Sequence, residues 1–186
     1  MKSFKLFNNI CGWIAFAIAT VVYLMTVEPT ASFWDCGEFI ATADKLEVGH
    51  PPGAPFFMLV GRLFTLMAAD QSQVALMMNS FSAICSSLCI LFLFWTITNL
   101  ARKILVGHSF DLNLGQTIGV LGAGFVGAMA CTFSDTFWFS AVEAEVYAFS
   151  SLFTAVVFWA MLKWDDVADE AEVVADLGTA VHREFD

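Results

Sequence analysis

Charged residues are scarce in this sequence, and basic residues are the scarcest of them. Only 14% of the residues are charged, with 8 Lys and Arg against 18 Asp and Glu. A chain so poor in basic residues lacks the electrostatic footprint that nucleic acid requires. The sequence also lacks a Ser-His-Asp pattern, a phosphate-binding loop and a zinc-ligand spacing. These absences exclude nucleic-acid binding and the catalytic sites that those motifs mark.

Apolar residues take the place of the missing charge. Hydrophobic residues make up 59% of the chain, and its 20 Phe and 6 Trp exceed what one soluble core of this length can bury. Four apolar runs approach the length needed to cross a bilayer. They lie near residues 10–27, 74–100, 117–133 and 146–162. The sequence therefore predicts an all-α, polytopic helical membrane protein with about four transmembrane helices.

A fifth apolar run, residues 56–69, is too short to cross and carries Arg62 near its middle. We predict an interfacial helix there, within the first external loop. This choice places five basic residues on one side of the membrane: Lys2, Lys5, Arg102, Lys103 and Lys163. Because only Lys45 and Arg62 then lie opposite, the positive-inside rule predicts cytoplasmic ends, with external loops at 28–73 and 134–145.

Acidic charge is concentrated at the end of the chain. Eight acids follow Trp164, and Arg183 is the one basic residue among them. We interpret residues 1–163 as the transmembrane region and residues 164–186 as an acidic, solvated cytoplasmic segment that connects to further helices.

The longest polar interval among the first hundred residues is SFWDCGEFIATADKLEVGHPPGAP, from Ser32 to Pro55. Asp35 and Glu38 are spaced to share one face of a helix. A carboxylate in this position can act as a general base on a hydroxyl, and its neighbour can tune its pKa. The same residues also fit helix-start patterns, in which an acid caps the first turn. The motif alone does not separate these interpretations.

Gly49-His50-Pro51-Pro52-Gly53 predicts a stiff turn at the membrane surface. The prolines fix φ, and the flanking glycines permit unusual dihedrals. His50 at this corner can hydrogen-bond a phosphate or a sugar, or the turn can simply join two interfacial helices. Arg62 can meet the phosphate of a lipid-linked ligand, or it can snorkel to the interface.

Glu143 and Glu145 precede the fourth apolar run. They can line a site opposite the first loop, or they can favour the start of a helix through its dipole. Because they are spaced by two, they would point to different helix faces, so only one need face a site.

The segment from Gly122 to Gly127 matches G-x-G-x-x-G in letters. It lies inside an apolar run with no preceding strand, which excludes a dinucleotide-binding fold. Its small residues predict close packing between helices instead.

The WDCGEF and GHPPG segments resemble the first external loop of protein O-mannosyltransferases, within the GT-C class of membrane glycosyltransferases. Asp35 matches the first acid of that family's Asp-Glu pair, Phe39 a following aromatic, and His50-Pro51-Pro52 its His-Pro-Pro turn. Cys36 stands where the second acid is expected. The chain up to about Lys163 resembles more closely the start of a family of large Bacteroidota membrane proteins, whose shared region is known as a domain of unknown function. The segment FWFSAVEAEVYA also supports this resemblance.

The resemblance implies an inverting transfer of a hexose such as mannose from a polyprenyl-phosphate donor to a hydroxyl of a protein or glycan. It would occur on the external face of a bacterial inner membrane, with Asp35 as the candidate base. The candidate substrate-binding residues are Glu38, His50, Arg62, Glu143 and Glu145. No cofactor is implied as required, although the loop carboxylates are able to hold a divalent metal. Since the donor groove of this class uses later helices, we expect the isolated chain to be inactive.

A membrane transport or assembly component is the alternative, with the acidic external loops binding a partner or ions. Intramembrane carboxylates would favour transport. Every acid here can be placed at or outside an interface, which weighs against it. A structural scaffold is a third option, and the Pro-Pro turn is the feature that fits it least.

Overall fold

The computed structural model describes residues 2–51, 53–107 and 109–183, which form helices and loops without a β-strand. Pro52 of the predicted turn and the last residues of the predicted acidic segment lie outside the described residues. The helices are α1 (Lys2–Thr26), α2 (Cys36–Lys45), α3 (Pro55–Thr65), α4 (Val74–Val106, after a 3-10 turn at Gln71–Gln73), α5 (Leu114–Thr132), α6 (Asp135–Ala141) and α7 (Val146–Arg183). The predicted all-α fold class is confirmed.

Within the described part of the chain, four helical segments are long and apolar enough to cross a membrane: Ser3–Thr26, Gln71–Val106, Leu114–Thr132 and Val146–Ala168. Each corresponds to one of the four predicted runs. The helices extend beyond those runs mainly at their ends, for example at residues 3–9 and 101–106. Polar residues there continue the helix, whereas the predicted runs were bounded by apolar residues. The chain is a multi-pass membrane protein.

Helix α4 lies at the centre, with α1, α5 and α7 packed against it. Its buried side chains lie on several faces, as expected of a helix surrounded by others. Glycines let the neighbours approach closely. A Cβ added at Gly12 would lie 2.5 Å from Trp95 Nε1, and one at Gly127 would lie 2.6 Å from Ile97 Cδ1. The small-residue segment of α5 therefore packs against α4, as predicted.

The two short helices α2 and α3 pack on each other and on the start of α4. Pro55 occupies the first turn of α3, where its missing N–H costs nothing. A Cβ at Gly61 would lie 2.6 Å from Met78 Cε and 3.3 Å from Ala43 Cβ, so this glycine sets the approach of the helices. At about 16 Å long, α3 is too short to cross a bilayer core of about 30 Å.

The two predicted external loops meet at one end of the bundle, which we call the loop end (residues 27–73 and 133–145). The backbone N–H of Glu28 donates to Val142 O at 3.1 Å. The buried Asn79 on α4 donates from Nδ2 to Glu28 O at 2.7 Å and to Thr30 O at 2.9 Å. The first loop is thus held by both the second loop and the central helix.

The opposite end, which we call the amino-terminal end, contains the start of α1, Gly107, residues 109–113 and residues 159–168 of α7. Arg102 is only 1% exposed and donates to Asp166 Oδ1 at 2.6 Å and to the carbonyls of Gly107 and Ser109. Lys103 pairs with Asp165 and Asp166.

Helix α7 runs without interruption across the predicted boundary at residue 163 and continues to Arg183. Residues 165–177 include neither Gly nor Pro, so nothing in this stretch breaks the helix. Asp165 and Asp166, the first acids of the predicted solvated segment, are paired with basic side chains of α4. The predicted boundary therefore does not coincide with a helix end.

Candidate functional site

Asp35 and Glu38 lie at the start of α2, as their spacing predicted. Asp35 is the residue that precedes the helix, but its side chain makes no capping hydrogen bond. Among the described residues, no hydrogen bond or ion pair to the Asp35 carboxylate is present, and the residue is exposed. The capping interpretation therefore does not account for the Asp35 side chain.

Glu38 is joined to His50 by two hydrogen bonds. The His50 backbone N–H donates to Glu38 Oε1 at 2.6 Å, and His50 Nδ1 lies 3.0 Å from Glu38 Oε2. The backbone bond, followed by the side-chain bond, lowers the pKa of Glu38 below its usual value. The side-chain bond to Glu38 raises the pKa of His50 above its usual value. The pair therefore favours an imidazolium beside a carboxylate.

Asp35, Glu38 and His50 converge. One potential ligand atom from each lies within 4.8 Å of the others. Two carboxylates and an imidazole are a donor set that a divalent cation can accept. Glu38 already accepts from His50 with both oxygens, whereas the Asp35 carboxylate has no partner among the described residues. The arrangement therefore has the right ligands for a metal, and two of its three side chains are paired with each other.

The second loop supplies Glu143 and Glu145 to the same region. Glu143 is only 8% exposed and accepts a hydrogen bond from Ser32 Oγ at 2.7 Å. Cys36 Sγ lies 3.4 Å from Glu145 Oε1 and 3.7 Å from Glu143 Oε2. Both glutamates lie in the bend before α7 rather than on a helix, so helical spacing does not separate them and both reach Cys36.

Burial and neighbouring charges shift the pKa values of Cys36 and Glu145. Burial, reinforced by Glu145 and then Glu143, raises the pKa of the Cys36 thiol to about 12. Burial also raises the pKa of Glu145 above its usual value, although the Cys36 hydrogen bond opposes the shift. At neutral pH, Cys36 is thus a protonated hydrogen-bond donor to the carboxylates.

A cleft of about 250 Å³ opens between the two loops. Asp35, His50, Glu145 and Tyr147 line it, together with apolar residues such as Phe39 and Met58. The structure thus brings one residue of each predicted group to the cleft: the loop acid, the turn histidine and one of the two glutamates. Glu143 lies behind Cys36. Tyr147 was not predicted as a site residue, although it follows Glu145 closely in the chain.

Arg62 is not part of this cleft. Its Nη1 donates to Asp44 Oδ1 at 2.5 Å and to Thr65 Oγ1 at 3.1 Å. Asp44 lies in the last turn of α2, whereas Asp35 precedes the first turn. Arg62 therefore joins α3 to the far end of α2, and the anion that it contacts in the structure is a carboxylate of the same chain.

Phe33 and Trp34, beside Asp35, are the most exposed aromatic residues of the loop end, at 86% and 91%. Trp34 has a φ of 64°, in the left-handed region that large side chains rarely adopt. A strained residue directly before Asp35 is the kind of backbone outlier that accompanies functional sites.

Comparison with known proteins matches a region of the chain that includes the candidate residues Asp35, Glu38, His50, Glu143 and Glu145. The chain matches the family model described as the protein O-mannosyl-transferase TMEM260 N-terminal domain over residues 35–181, beginning at Asp35. It is 26% identical over 150 residues to the protein O-mannosyl-transferase tmem260 of Dictyostelium discoideum, covering 80% of this chain and 16% of that protein. It is 28% identical over 168 residues to the protein O-mannosyl-transferase TMEM260 of Mus musculus, covering 88% of this chain and 21% of that protein.

The chain therefore spans about a fifth or less of the length of these curated relatives. No solved structure matches the chain significantly.

Proposed function

Because the chain belongs to the family of the protein O-mannosyl-transferase TMEM260 N-terminal domain, we propose that it is the amino-terminal part of a GT-C glycosyltransferase. The complete protein transfers a hexose, in the first instance mannose, from a polyprenyl-phosphate donor to a hydroxyl of a protein. The names of the relatives support the sugar and the protein acceptor. The transfer takes place in the cleft at the loop end.

The observation that carries the proposal is the contrast between Asp35 and the other acids of the site. Glu38 is bound to His50, and Glu143 and Glu145 contact Cys36. Asp35 lines the cleft without such a partner among the described residues. A general base needs a carboxylate that is free to meet the incoming hydroxyl. Asp35 is the acid that fits this role.

In the proposed step, Asp35 takes the proton of the acceptor hydroxyl as its oxygen attacks the anomeric carbon. The new carbon–oxygen bond forms on the face opposite the phosphate. The bond from the anomeric carbon to the phosphate oxygen breaks, and its electron pair leaves with the polyprenyl phosphate. The product is an inverted glycoside, and Asp35 holds the proton.

In this proposal, His50 stabilises the negative charge that develops on the leaving phosphate. Its contact with Glu38 favours the protonated ring, and a protonated imidazole is a charge-assisted hydrogen-bond donor. Glu145, on the opposite wall of the cleft, binds a hydroxyl of the sugar or acceptor. Arg62 stays with Asp44 and supports α2 and α3 without contacting the donor.

We place the loop end outside a bacterial inner membrane and the amino-terminal end in the cytoplasm. Lys5, Arg102, Lys103 and Lys163 lie at the amino-terminal end, which satisfies the positive-inside rule. The donor lipid then occupies a groove completed by helices beyond this chain, so the isolated chain is inactive. The reaction requires no metal.

The test uses the full-length natural protein in proteoliposomes with polyprenyl-phosphate mannose and an acceptor protein. Asp35→Asn should lower transfer by about a hundredfold or more, because it removes the base. Donor binding should be retained, since the amide is isosteric. Asp135→Asn is the matched control, because Asp135 is an exposed acid of the loop end outside the cleft.

Equal transfer by wild type and Asp35→Asn would remove Asp35 from the mechanism. No transfer by wild type with any polyprenyl-phosphate sugar would favour a partner-binding or transport role for the acidic loops. Loss of transfer on chelation, restored by a divalent cation, would contradict the metal-independent mechanism.

A further inference from the structure

A second cavity, of about 280 Å³, lies at the amino-terminal end of the bundle, opposite the proposed transfer site. Side chains of α1, α4 and α7 line it, among them Lys5, Asn8, Trp95, Asn99, Trp159 and Lys163. None of these residues takes part in the proposed transfer. The cavity therefore needs an explanation of its own.

Buried polar atoms that lack a partner are concentrated around this cavity. Among the side chains that the structure describes, six such atoms occur, and four belong to residues that line it: Asn8 Oδ1, Trp95 Nε1, Asn99 Oδ1 and Trp159 Nε1. Native proteins leave few buried polar groups unpaired. Trp95 Nε1 packs against Gly12 of α1, and the other three atoms beside one cavity indicate a ligand that supplies the missing hydrogen bonds.

Asn99 gives the clearest indication of what that ligand must offer. Its side chain is 93% buried, being only 7% exposed, and its Nδ2 donates to Asp166 Oδ2 at 2.9 Å. This bond fixes the orientation of the amide, so Oδ1 is left as an acceptor. The ligand must therefore carry an N–H or O–H donor.

The cations at the cavity indicate a negative group in the same ligand. The charge of Arg102 is balanced by its salt bridge to Asp166. Lys5 and Lys163 have no salt bridge among the side chains that the structure describes. Lys5 Nζ lies 4.3 Å from the centre of the Phe110 ring, and Lys163 Nζ lies 6.0 Å from that of Trp159. Two lysines on aromatic rings at a membrane boundary can hold a phosphate.

We propose that this cavity binds the headgroup of a membrane phospholipid that carries a phosphate and a hydrogen-bond donor, as phosphatidylethanolamine does. The phosphate contacts Lys5 and Lys163 and accepts from the indole N–H of Trp159. The headgroup ammonium donates to Asn99 Oδ1. The cavity lies between ends of membrane-spanning helices, where a lipid headgroup reaches it from the adjacent leaflet.

Phosphatidylethanolamine and phosphatidylcholine differ only in the methylation of the headgroup nitrogen, and the proposed site should bind them with different affinities. Phosphatidylcholine has the same phosphate, but its trimethylated nitrogen carries no N–H and cannot satisfy Asn99. Binding to the full-length protein in detergent is measured by native mass spectrometry with each lipid. We expect phosphatidylethanolamine to bind about tenfold or more tightly than phosphatidylcholine, as the loss of a charge-assisted hydrogen bond implies.

Lys5→Gln combined with Lys163→Gln tests the phosphate contacts. This pair should weaken phosphatidylethanolamine binding by about tenfold or more, since two charge-assisted contacts are lost. Lys103→Gln is the matched control at the same end, because Lys103 pairs with Asp165 and Asp166 and does not line the cavity. It should leave lipid binding unchanged.

Three results would overturn the proposal. Equal binding of the two lipids would remove the donor requirement. An equal loss of phosphatidylethanolamine binding in the double lysine variant and in Lys103→Gln would show that binding depends on overall positive charge and not on Lys5 and Lys163. Displacement of the lipid by millimolar inorganic phosphate would identify a site for free phosphate. The transfer assay reports separately on the loop end, so either proposal can fail without the other.

Discussion

Glu38 and His50, twelve residues apart, are joined through both the backbone N–H and the ring nitrogen of His50. The contact ties the first turn of α2 to the turn that leads into α3. It thereby sets the position of His50 relative to Asp35, within a group whose ligand atoms lie inside 4.8 Å. One carboxylate both orients the histidine and favours its charge.

The first prediction concerns the ionisation of His50. Glu38→Gln should lower the pKa of His50, because the largest cause of its raised value is the Glu38 side chain. NMR titration of the ring protons in the labelled, detergent-solubilised protein measures the change. Asp35→Asn is the control and should have a smaller effect, since Asp35 is the last of the causes. An unchanged pKa in Glu38→Gln would contradict the contact.

The contact between Glu38 and His50 also predicts how local stability depends on pH. The raised pKa of His50 contributes stability that is complete below the ordinary value of 6.5 and is lost as pH rises through the raised value. The lowered pKa of Glu38 contributes stability that is complete above the ordinary value of 4.5 and is lost as pH falls through the lowered one. The local structure should therefore be most protected between 4.5 and 6.5, as hydrogen exchange at the His50 amide can measure.

The second prediction concerns Glu145. Burial raises its pKa above the ordinary 4.5, so the native state holds the proton more tightly than the unfolded state. The free energy of unfolding should therefore fall as pH rises from 4.5 through the raised value. Glu145→Gln should remove this part of the pH dependence. Glu47→Gln, a change at an exposed acid, serves as the control, and identical profiles for wild type and Glu145→Gln would contradict the prediction.

The third prediction concerns the packing of α5 on α4. A Cβ at Gly124 would overlap Thr98 Cγ2 and lie 3.0 Å from Phe94 Cε2, whereas one at Gly122 would meet nothing within 4 Å. Gly124→Ala should lower the free energy of unfolding by about 1–3 kcal/mol through overpacking. Gly122→Ala should leave it unchanged or raise it by up to about 1 kcal/mol, because Ala is favoured over Gly in a helix interior. Reversible unfolding in mixed detergent measures both, and equal effects would indicate that α5 is packed in another orientation.

The fourth prediction separates two roles for Arg62. Because Arg62 contacts Asp44 at 2.5 Å, Arg62→Gln should lower the free energy of unfolding, and a double-mutant cycle with Asp44→Asn should give a coupling of about 1 kcal/mol. Donor binding by the full-length protein should be unchanged. A selective loss of donor affinity, with no coupling to Asp44, would restore Arg62 as a phosphate ligand.

The helices were predictable because apolar length and charge position are local properties of the sequence. Residues 56–69 could be assigned to a short interfacial helix from their length and from the sidedness of the lysines, and α3 agrees with this. The end of the fourth span was less predictable. Asp165 and Asp166 begin an acidic stretch of the sequence, which predicts that they are solvated. Their partners Arg102 and Lys103 lie more than sixty residues away in the chain.

The sequence offered most residues that the structure brings together at the loop end, but it did not predict how they pair. Composition and resemblance identified Asp35, Glu38, His50 and the two glutamates as candidates. That Glu38 would bind His50 while Asp35 stayed free depends on the path of the turn at residues 46–51, which spacing does not determine. Arg62 presented the same difficulty, since its partner Asp44 becomes adjacent only when α2 and α3 fold against each other.

The central position of α4 also has a consequence for the order of assembly during synthesis. Helix α1 leaves the ribosome before α4, its principal packing partner, which begins only at Val74. Until α4 has been inserted, α1 must remain in contact with lipid or with the insertion machinery. Once Val106 has emerged, Gly12 can close against Trp95, and α5 and α7 can each join an existing surface. Assembly of the bundle therefore depends on the insertion of α4, and the pair formed by α1 and α4 is the surface on which α5 and α7 pack.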